Sequence, residues 1–452
     1  MSSFDDDEDR SGGPQPFVDT RPAPTRVGLI VRDVRGVVTS HTIDARQAEF
    51  EGLAGAIRVE LVFSEIVKVR EIKPATFIGG GHVEEIKKKV EEGKVELLLV
   101  DAALAPVQQR NLETETKAKV LDRTALILEI FGERAATREG VLQVELAHLN
   151  YQKSRLVRSW THLERQRGGF GFLGGPGETQ IESDRRLLEE RIKLLEERLE
   201  KVKRTRSQQR GGREAVQIPV VALVGYTNAG KSSLFNRLTG AGVFAEDLLF
   251  ATLDTTLRKL ELPHGRNVMI SDTVGFVSEL PTTLVAAFRA TLEEVTGADV
   301  ILHVRDVANP DHAAQAHDVL KVLTDLGVSS EKTPIIEVWN KVDLLDEDAR
   351  GELLQAVKPA GGAAASVAVS AQTGEGIDRL LETIETTLGA KSRTYRVRVP
   401  HTNGADVGWL YGHAEIIARD EPDEEGQTYE VRVDPRHKDG FTQRFAGRIE
   451  AT

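Results

Sequence analysis

After an N-terminal stretch of mixed polarity, the chain alternates short apolar runs with stretches of helical spacing. The apolar runs are Val27–Val31, Ala56–Val59 and Val95–Val100, and the helical stretches are Glu84–Glu92 and Asp122–Arg134. Such alternation is typical of a sheet covered by helices, so we predict a small α/β domain over residues 27–136. Within it, Gly79–Gly81 precede a helical stretch, which fits an anion site at a helix N-terminus and equally a plain turn.

The next segment carries an apolar stripe at alternating steps of four and three residues, and a second stripe follows a glycine-rich break. The first stripe consists of Leu142, Leu146, Leu149, Leu156, Trp160 and Leu163, with Lys153 at its one polar position, and the second of Leu188, Ile192, Leu195, Leu199 and Val202. Stripes this narrow predict two consecutive helices that pack along one seam. We therefore predict a long antiparallel helical hairpin over residues 137–213, with a glycine-rich tip at 168–180.

From residue 214 to 390 apolar runs and helical stretches alternate again, which predicts a doubly wound parallel sheet. The predicted strands lie near Val220–Val224, Val268–Ser271, Val300–Val304, Pro334–Val338 and Ala368–Ser370. Gln208–Arg213 contains two glycines, and we predict a linker there. Residues 391–452 predict a separate small α+β domain without recognisable chemistry.

Composition narrows the class of protein. A length of 452 residues suggests about three domains, and the absence of cysteine excludes disulfides and thiolate metal sites. No run approaches the ~18 apolar residues that span a bilayer, so we expect no membrane span and a cytoplasmic protein. Residues 1–26, with a run of acidic residues followed by Gly and Pro, predict a disordered acidic tail.

The predicted hairpin is basic, whereas the chain as a whole is acidic. Residues 151–213 contain sixteen Lys and Arg against nine Asp and Glu, a local balance of +7 within a net charge of −12. A solvated helix face with i,i+4 ion pairs explains part of this pattern. Basic residues around an aromatic, glycine-rich tip also suit unpaired RNA, and both interpretations stay open here. The candidate RNA-binding residues are Arg165, Arg167, Phe170, Phe172, Arg185 and Arg186.

A phosphate-binding loop follows the first strand of the third predicted domain. Its residues are Gly225, Tyr226, Thr227, Asn228, Ala229, Gly230, Lys231 and Ser232, followed by Ser233. The glycines let backbone N–H groups converge on phosphate oxygens, and the next helix adds its positive N-terminal end. In this pattern Lys231 supplies a charge for the outer phosphates, and the Ser232 hydroxyl is a ligand for Mg²⁺.

A second motif ends the strand that includes Val268. Asp272 would hold Mg²⁺ through water, and the backbone N–H of Gly275 would meet the γ-phosphate. The first switch loop must lie between the phosphate loop and Asp272, and one of its threonines is expected to reach Mg²⁺ and the γ-phosphate. We favour Thr252, with Thr255 and Thr256 as alternatives.

Two more motifs follow later strands. Asn340 and Lys341 precede Asp343, whose carboxylate can accept both N–H groups of the guanine edge, an arrangement that adenine cannot satisfy. Ser370 and Ala371 would offer backbone N–H groups to the guanine oxygen. Each motif alone is a weak signal, but their joint order and strand-end placement predict a P-loop site for GTP and GDP.

Two residues inform the mechanism of hydrolysis. Phe276 follows Gly275, where many GTPases carry a glutamine that orients water, so unaided hydrolysis is expected to be slow. Asn228 has a side-chain oxygen near the phosphates that could coordinate a monovalent cation. Its other role is turn formation, to which Asn is well suited.

Together these residues closely resemble the HflX family of translational GTPases. The resemblance covers about residues 27–389 and is most specific in four segments, Thr161–Gly169, Gly174–Arg186, Gly225–Ser233 and Phe250–Asp254. Members of the family bind the large ribosomal subunit, and some dissociate stalled or idle ribosomes under stress. The resemblance implies that the hairpin tip contacts rRNA, that Thr252 is the switch threonine, and that Asn228 is associated with K⁺.

The resemblance therefore implies a GTP-hydrolysing translational switch that uses Mg²⁺ and acts on the large ribosomal subunit, and we expect a monomer. Lys231, Thr252, Gly275 and Asn228 would be its catalytic residues. A GTPase of ribosome assembly and an RNA-binding scaffold with little turnover are the alternatives. Gly79–His82 departs from a glycine–lysine pattern frequent in the family, so ATP hydrolysis by the N-terminal domain is not supported.

Overall fold

The computed structural model describes residues 24–37, 39–166, 176–214, 218–240, 249–250, 252–253, 255–279, 289–329, 332–357, 365–390, 393–433 and 437–451. Three separate sheets organise these residues. The first belongs to the N-terminal part of the chain, the second carries the phosphate loop, and the third is C-terminal. None of the described helices is long and apolar enough to cross a membrane.

The N-terminal sheet is wholly parallel, in the order β2-β1-β3-β4. Its elements are β1 (Thr25–Val34), α1 (Ile43–Gly55), β2 (Val59–Val69), α2 (Gly80–Gly93), β3 (Leu97–Asp101), α3 (Pro106–Thr116), β4 (Lys119–Asp122) and α4 (Arg123–Arg134). Leu29 and Ile30 of β1 are buried in different apolar clusters because helices cover both faces of the sheet. The predicted α/β arrangement is confirmed.

The second strand lies later than the predicted segment Ala56–Val59. Ala56 caps α1, and β2 begins only at Val59. β2 is an edge strand, and exposed polar residues such as Glu60 and Lys68 interrupt its apolar positions. A search for continuous apolar runs therefore misses most of this strand.

Two long helices, α5 (Arg138–Gln166) and α6 (Pro176–Glu214), form the predicted hairpin. The seam is confirmed in its described part: Leu142, Leu149, Ile192, Leu195 and Leu199 are buried against one another, flanked by Leu146, Leu188 and Val202. The side chains of Trp160 and Leu163 lie outside the described residues. At 1.5 Å per residue, the 29 residues of α5 form a helix about 44 Å long.

Two predicted boundaries of the hairpin are wrong. The expected linker Gln208–Arg213 is the last part of α6, because Gln and Arg are good helix formers and outweigh the two glycines. Residues 176–180 of the predicted tip form the start of α6, since Pro176 suits a first helical position. The rest of the tip, including Phe170 and Phe172, and the preceding Arg167 lie outside the described residues.

Polar contacts attach the base of the hairpin to the N-terminal sheet. The hydroxyl of Tyr151 donates to Asp122 Oδ1 at 2.8 Å, and Arg155 Nη1 lies 3.3 Å from Asp122 Oδ2. Arg155 also donates to the hydroxyl of Tyr151 at 2.6 Å and to the side chain of Gln109. Burial raises the pKa of Tyr151, so its hydroxyl stays protonated and available as a donor.

The central domain is a six-stranded sheet in the order β10-β9-β8-β5-β7-β6, parallel except for β6. Its elements are β5 (Val220–Gly225), α7 (Lys231–Thr239), β6 (Thr256–Glu261), β7 (Asn267–Asp272), α8 (Arg289–Thr296), β8 (Val300–Asp306), α9 (His312–Asp325), β9 (Ile335–Asn340), a 3₁₀ turn (Val342–Leu344), α10 (Glu347–Ala356), β10 (Ser366–Ala368) and α11 (Ile377–Gly389). The predicted doubly wound sheet is confirmed. The antiparallel edge strand β6 was not predicted.

The C-terminal unit is an antiparallel sheet in the order β12-β13-β11-β14, which confirms the α+β prediction. Its elements are β11 (Arg393–Pro400), α12 (Gly404–His413), β12 (Ala414–Arg419), β13 (Gly426–Val433), α13 (Lys438–Arg444) and β14 (Ile449–Ala451). Phe441 and Phe445 are fully buried in its core against Leu410 and Val431.

Candidate nucleotide-binding site

The phosphate loop connects the buried end of β5 to the first turn of α7, and close packing dictates its glycines. A Cβ at Gly225 would lie 2.3 Å from the backbone oxygen of Val304, and a Cβ at Gly230 would lie 2.2 Å from Asn340 Nδ2. Gly230 also has a φ of +89°, which favours glycine. Both positions exclude any side chain.

Lys231 is buried at the start of α7, with only 6% of its surface exposed. Its ammonium group donates to the backbone oxygen of Tyr226 at 2.8 Å. Burial lowers the pKa of Lys231 to about 8, and the nearby carboxylate of Asp272 opposes that effect. A partly desolvated ammonium group of this kind gains strongly from a phosphate anion placed beside it.

Three side-chain oxygens predicted to serve a metal meet beside this lysine. The hydroxyl of Ser232 lies 2.8 Å from that of Thr252 and donates to Asp272 Oδ2 at 2.7 Å. Thr252 Oγ1 also donates to Asp272 Oδ2, at 3.1 Å. Thr256, one of the alternatives to Thr252, instead begins β6 and pairs with Asp272 along the strand.

The donor set fits Mg²⁺. Hydroxyl and carboxylate oxygens are the ligands that this ion prefers, and all three residues come from different segments held by the sheet. Asp272 is fully buried, and its Oδ1 has no hydrogen-bond partner in the described part of the chain. Burial raises the pKa of Asp272, an effect that a bound cation would reverse.

The segment after Asp272 packs directly on the phosphate loop. Phe276 forms a bridge with Tyr226: its backbone oxygen accepts from the N–H of Thr227 at 2.7 Å, and its own N–H donates to Gly225 at 3.1 Å. A Cβ at Gly275 would lie 2.8 Å from Thr227 Cγ2 and 3.1 Å from Lys231 Nζ, so only glycine fits.

The predicted base-recognition residues are tied to the same loop. Asn340 is buried, donates from Nδ2 to the backbone oxygen of Ala229 at 2.9 Å and accepts from the N–H of Ala371 at 3.0 Å. Lys341 has a φ of +67° and pairs with Asp306 at 2.7 Å. Asp343 lies half-buried in the 3₁₀ turn that follows.

Hydrogen bonds on both sides hold the second base-recognition segment, residues 370–372. Ser370 Oγ accepts from the N–H of Thr373 at 3.0 Å, which closes a tight turn. The N–H of Ala371, expected to face the guanine oxygen, already donates to Asn340, so a base would have to share this donor. Arg237 of α7 donates to the backbone oxygens of Ala371, at 3.0 Å, and Gln372. No sequence motif indicated this arginine.

The N-terminal domain also reaches the site, which sequence reasoning missed. Arg123, the first residue of α4, donates to the backbone oxygen of Ser278 at 3.0 Å and to its hydroxyl at 2.9 Å, and it pairs with Glu49. Glu49 accepts from the hydroxyl of Tyr226 and, at 2.9 Å, from the hydroxyl of Ser278. The Tyr226 hydroxyl in turn accepts from the N–H of Ser278 at 2.6 Å.

Further ion pairs surround this cluster. Asp101 is fully buried and is held by Arg123 at 2.9 Å and Arg46 at 2.7 Å. Glu279, next to Ser278, pairs with Arg32 of β1 at 2.6 Å. These contacts join positions between 22 and 247 residues apart and belong to no motif, so a single sequence gives no signal for them.

A histidine and a ring pair complete the contact between the two domains. His41 lies between Asp318, at 2.8 Å, and Asp311, at 3.1 Å, and the hydrogen bond to Asp318 raises the pKa of His41. The ring of Phe131 meets that of Phe250 edge-on, with centroids 4.6 Å apart. Phe250 lies two residues before Thr252, so the N-terminal domain touches the first switch loop as well.

A phosphate loop on β5, with motif residues at the ends of β7, β9 and β10, defines a P-loop GTPase. Family descriptions match four consecutive parts of the chain: "GTP-binding GTPase N-terminal" at residues 44–132, "GTP-binding GTPase Middle Region" at 134–213, "50S ribosome-binding GTPase" at 220–341 and "HflX C-terminal domain" at 355–450.

Proteins named GTPase HflX are similar along most of their length. The protein of Magnetococcus marinus is 47% identical over 401 residues, which cover 89% of this chain and 91% of that one. The protein of Caldanaerobacter subterraneus subsp. tengcongensis is 43% identical over 397 residues, covering 88% and 89% of the two chains. The Escherichia coli (strain K12) protein is 43% identical over 387 residues, covering 85% and 89%. The chain therefore belongs to the HflX family of GTPases, as its motifs predicted.

Proposed function

We propose that this GTPase is a translational switch of the cytoplasm that binds the large ribosomal subunit and dissociates or rescues stalled or idle ribosomes under stress. One observation carries the proposal: the domain that bears the basic hairpin is in buried contact with the segments around Thr252 and Gly275. Binding at the hairpin can therefore bias the GTP site through contiguous contacts.

The residues at the phosphate loop support GTP binding and hydrolysis. Lys231 and the loop amides would hold the phosphates, and the N–H of Gly275 would meet the γ-phosphate. Ser232, Thr252 and Asp272 would hold Mg²⁺, which neutralises charge on the phosphate oxygens when it is bound. Asp343 would read the guanine edge, while Asn340 keeps the base loop and the phosphate loop in register.

Phe276 supports a GTPase whose unaided hydrolysis is slow and is accelerated by a binding partner. Its side chain is only 3% exposed and packs in an apolar cluster shared with Phe131 of the N-terminal domain. A phenyl ring offers no hydrogen bond to an attacking water, so this residue cannot take the role of the usual glutamine. Acceleration beyond the contribution proposed for K⁺ at Asn228 must then come from groups or rearrangements that the bound partner supplies.

The hairpin supports an RNA partner. Arg185 and Arg186 are exposed on α6, and each pairs only weakly with a glutamate one turn away, Glu189 and Glu190. Exposed i,i+4 pairs contribute little and are easily exchanged for phosphate contacts. Arg165 lies in α5, but its side chain is outside the described part of the structure. Arg167, Phe170 and Phe172 are outside it entirely.

An Asp343→Asn change tests base recognition. It removes the acceptor for the guanine N–H groups and creates a donor that suits xanthine, so we expect GTP affinity to fall about ten- to a hundredfold and xanthosine triphosphate to be preferred. Asp346→Asn is the matched control, because Asp346 caps α10. Unchanged preference in a competition assay would remove Asp343 as the base reader.

The role of Asn228 is tested with salts and a turn-preserving variant. Asn228 is exposed and has a φ of +58°, a conformation that both Asn and Gly accept. We propose that its side chain helps to bind K⁺, so hydrolysis is expected to be faster in KCl than in NaCl. Asn228→Gly keeps the turn, and we expect it to lose the difference while retaining GDP affinity. Equal rates of the wild-type protein in both salts would contradict the proposal.

Charge reversal on the hairpin tests ribosome binding. Arg185→Glu with Arg186→Glu is expected to weaken binding to large subunits by at least about tenfold and to reduce its salt dependence, with basal hydrolysis unchanged. Arg258→Glu with Lys259→Glu, exposed on β6, is the matched control. If both double variants pellet with large subunits as the wild type does, the hairpin is not the ribosome contact.

A further inference from the structure

We infer that Thr227 is a further catalytic residue of the GTPase. Its side-chain hydroxyl holds the water that attacks the γ-phosphate of GTP, a task that Phe276 cannot perform. The inference rests on the proposed placement of GTP at the phosphate loop, and it does not depend on the ribosomal partner.

The hydroxyl of Thr227 is buried and unpaired. Thr227 is the third residue of the phosphate loop, and only 6% of its surface is exposed. Its Oγ1 has no hydrogen-bond partner in the described part of the chain. The nearby Thr273 is buried too, but its hydroxyl donates to the backbone oxygen of Leu223 at 2.6 Å. Because a buried hydroxyl without a hydrogen bond costs free energy, Thr227 is suited to bind a polar group that enters the site.

The position of the side chain indicates which group this is. A Cβ at Gly275 would lie 2.8 Å from Thr227 Cγ2 and 3.1 Å from Lys231 Nζ. Both side chains therefore adjoin the residue whose N–H would meet the γ-phosphate. Oγ1 and Cγ2 share the Cβ of Thr227, so the hydroxyl lies close to the same point. Ser271, whose hydroxyl is also unpaired, instead lies within β7, opposite Ala222 of β5.

Local contacts keep the hydroxyl of Thr227 in a restricted orientation. The N–H of Thr227 donates to the backbone oxygen of Phe276 at 2.7 Å, and Lys231 donates to the preceding backbone oxygen, that of Tyr226. Threonine is branched at Cβ and stiff about χ1, and its methyl group packs against Gly275. A hydroxyl oriented in advance needs little reorganisation when the reaction occurs.

The chemistry of a hydroxyl suits the attacking water. It accepts one hydrogen bond and donates another, so it can hold a water molecule beside a γ-phosphate oxygen. The water oxygen forms a bond to the γ-phosphorus while the bond from that phosphorus to the bridging oxygen breaks, and the electron pair leaves with GDP. The proton of the water passes to an oxygen of the released phosphate, and Thr227 keeps its own proton. A neutral hydroxyl places the water without acting as a base, in agreement with slow unaided hydrolysis.

A pair of variants at this position tests the role. Thr227→Val keeps the shape and removes the hydroxyl, whereas Thr227→Ser keeps the hydroxyl. Without ribosomes, we expect kcat of the valine variant to fall about ten- to a hundredfold, with KM and GDP affinity unchanged, and the serine variant to keep most of the wild-type rate. Thr383→Val in α11 is the matched control, because that buried hydroxyl donates only within its own helix, to Arg379.

Three readouts separate catalysis from a structural role. In the valine variant, we expect weaker binding of GDP with aluminium fluoride, which mimics the transferring phosphoryl group, by a factor similar to the loss in kcat. We expect its thermal unfolding midpoint to be no lower than that of the wild type, since an unpaired buried hydroxyl is removed. The ratio of its rates in KCl and NaCl should match the wild type, in contrast to Asn228→Gly.

The inference is overturned if the valine variant has an unchanged or higher kcat, loses GDP affinity in parallel, binds the aluminium fluoride complex like the wild type or loses the salt difference. A serine variant as slow as the valine variant would overturn it as well. If large subunits do not stimulate the wild type, the proposed ribosomal function fails, and the basal rates of the Thr227 variants still decide the role of this hydroxyl.

Discussion

The burial of the Arg123 guanidinium group between two domains is the interaction on which the arrangement of this molecule depends. A buried charge is tolerated only when carboxylates and hydrogen-bond acceptors surround it, and here Asp101, Glu49 and Ser278 do so. Asp101 and Glu49 belong to the N-terminal domain, whereas Ser278 belongs to the GTPase domain. Separating the domains would remove Ser278 from Arg123 and Glu49 and would remove Tyr226 from Glu49. The network therefore favours one relative position of the two domains.

This constraint gives the hairpin a defined relation to the GTP site. The hairpin is attached to the N-terminal sheet through Asp122, and the sheet is attached to the segment after Gly275 through Arg123. Phe276 cannot orient water, so the site depends on how its backbone and its neighbours are held. A GTPase built in this way is well suited to respond to a large partner that binds the hairpin.

Much of the candidate site could be predicted from sequence because its residues are local to strand ends. The carboxyl ends of parallel strands meet at one edge, so the Ser232, Asp272 and Asn340 segments had to converge once the motifs were placed on β5, β7 and β9. Thr252 could be favoured but not chosen over its neighbours. The apolar seam of the hairpin was equally predictable. Helical periodicity alone determines which residues, Leu195 among them, face the partner helix.

The rest could not be read from a single chain. The edge strands β2 and β6 lack a continuous apolar signal, and the helical Gln208–Arg213 segment follows from its neighbours rather than from its glycines. Contacts such as that between Arg123 and Ser278 span 155 positions, and no local pattern marks them. Tertiary packing determines these contacts, and the same contacts connect the N-terminal domain to the GTPase domain.

In the proposed switch, the nucleotide bound at the phosphate loop and ribosome binding at the hairpin are linked. Sedimentation of the protein with separated ribosomal subunits, in GDP and in a non-hydrolysable GTP analogue, tests it most directly. We expect the protein to pellet with large subunits, at least about tenfold more tightly with the analogue than with GDP. Equal binding in the two nucleotides, or no binding to large subunits, would contradict it.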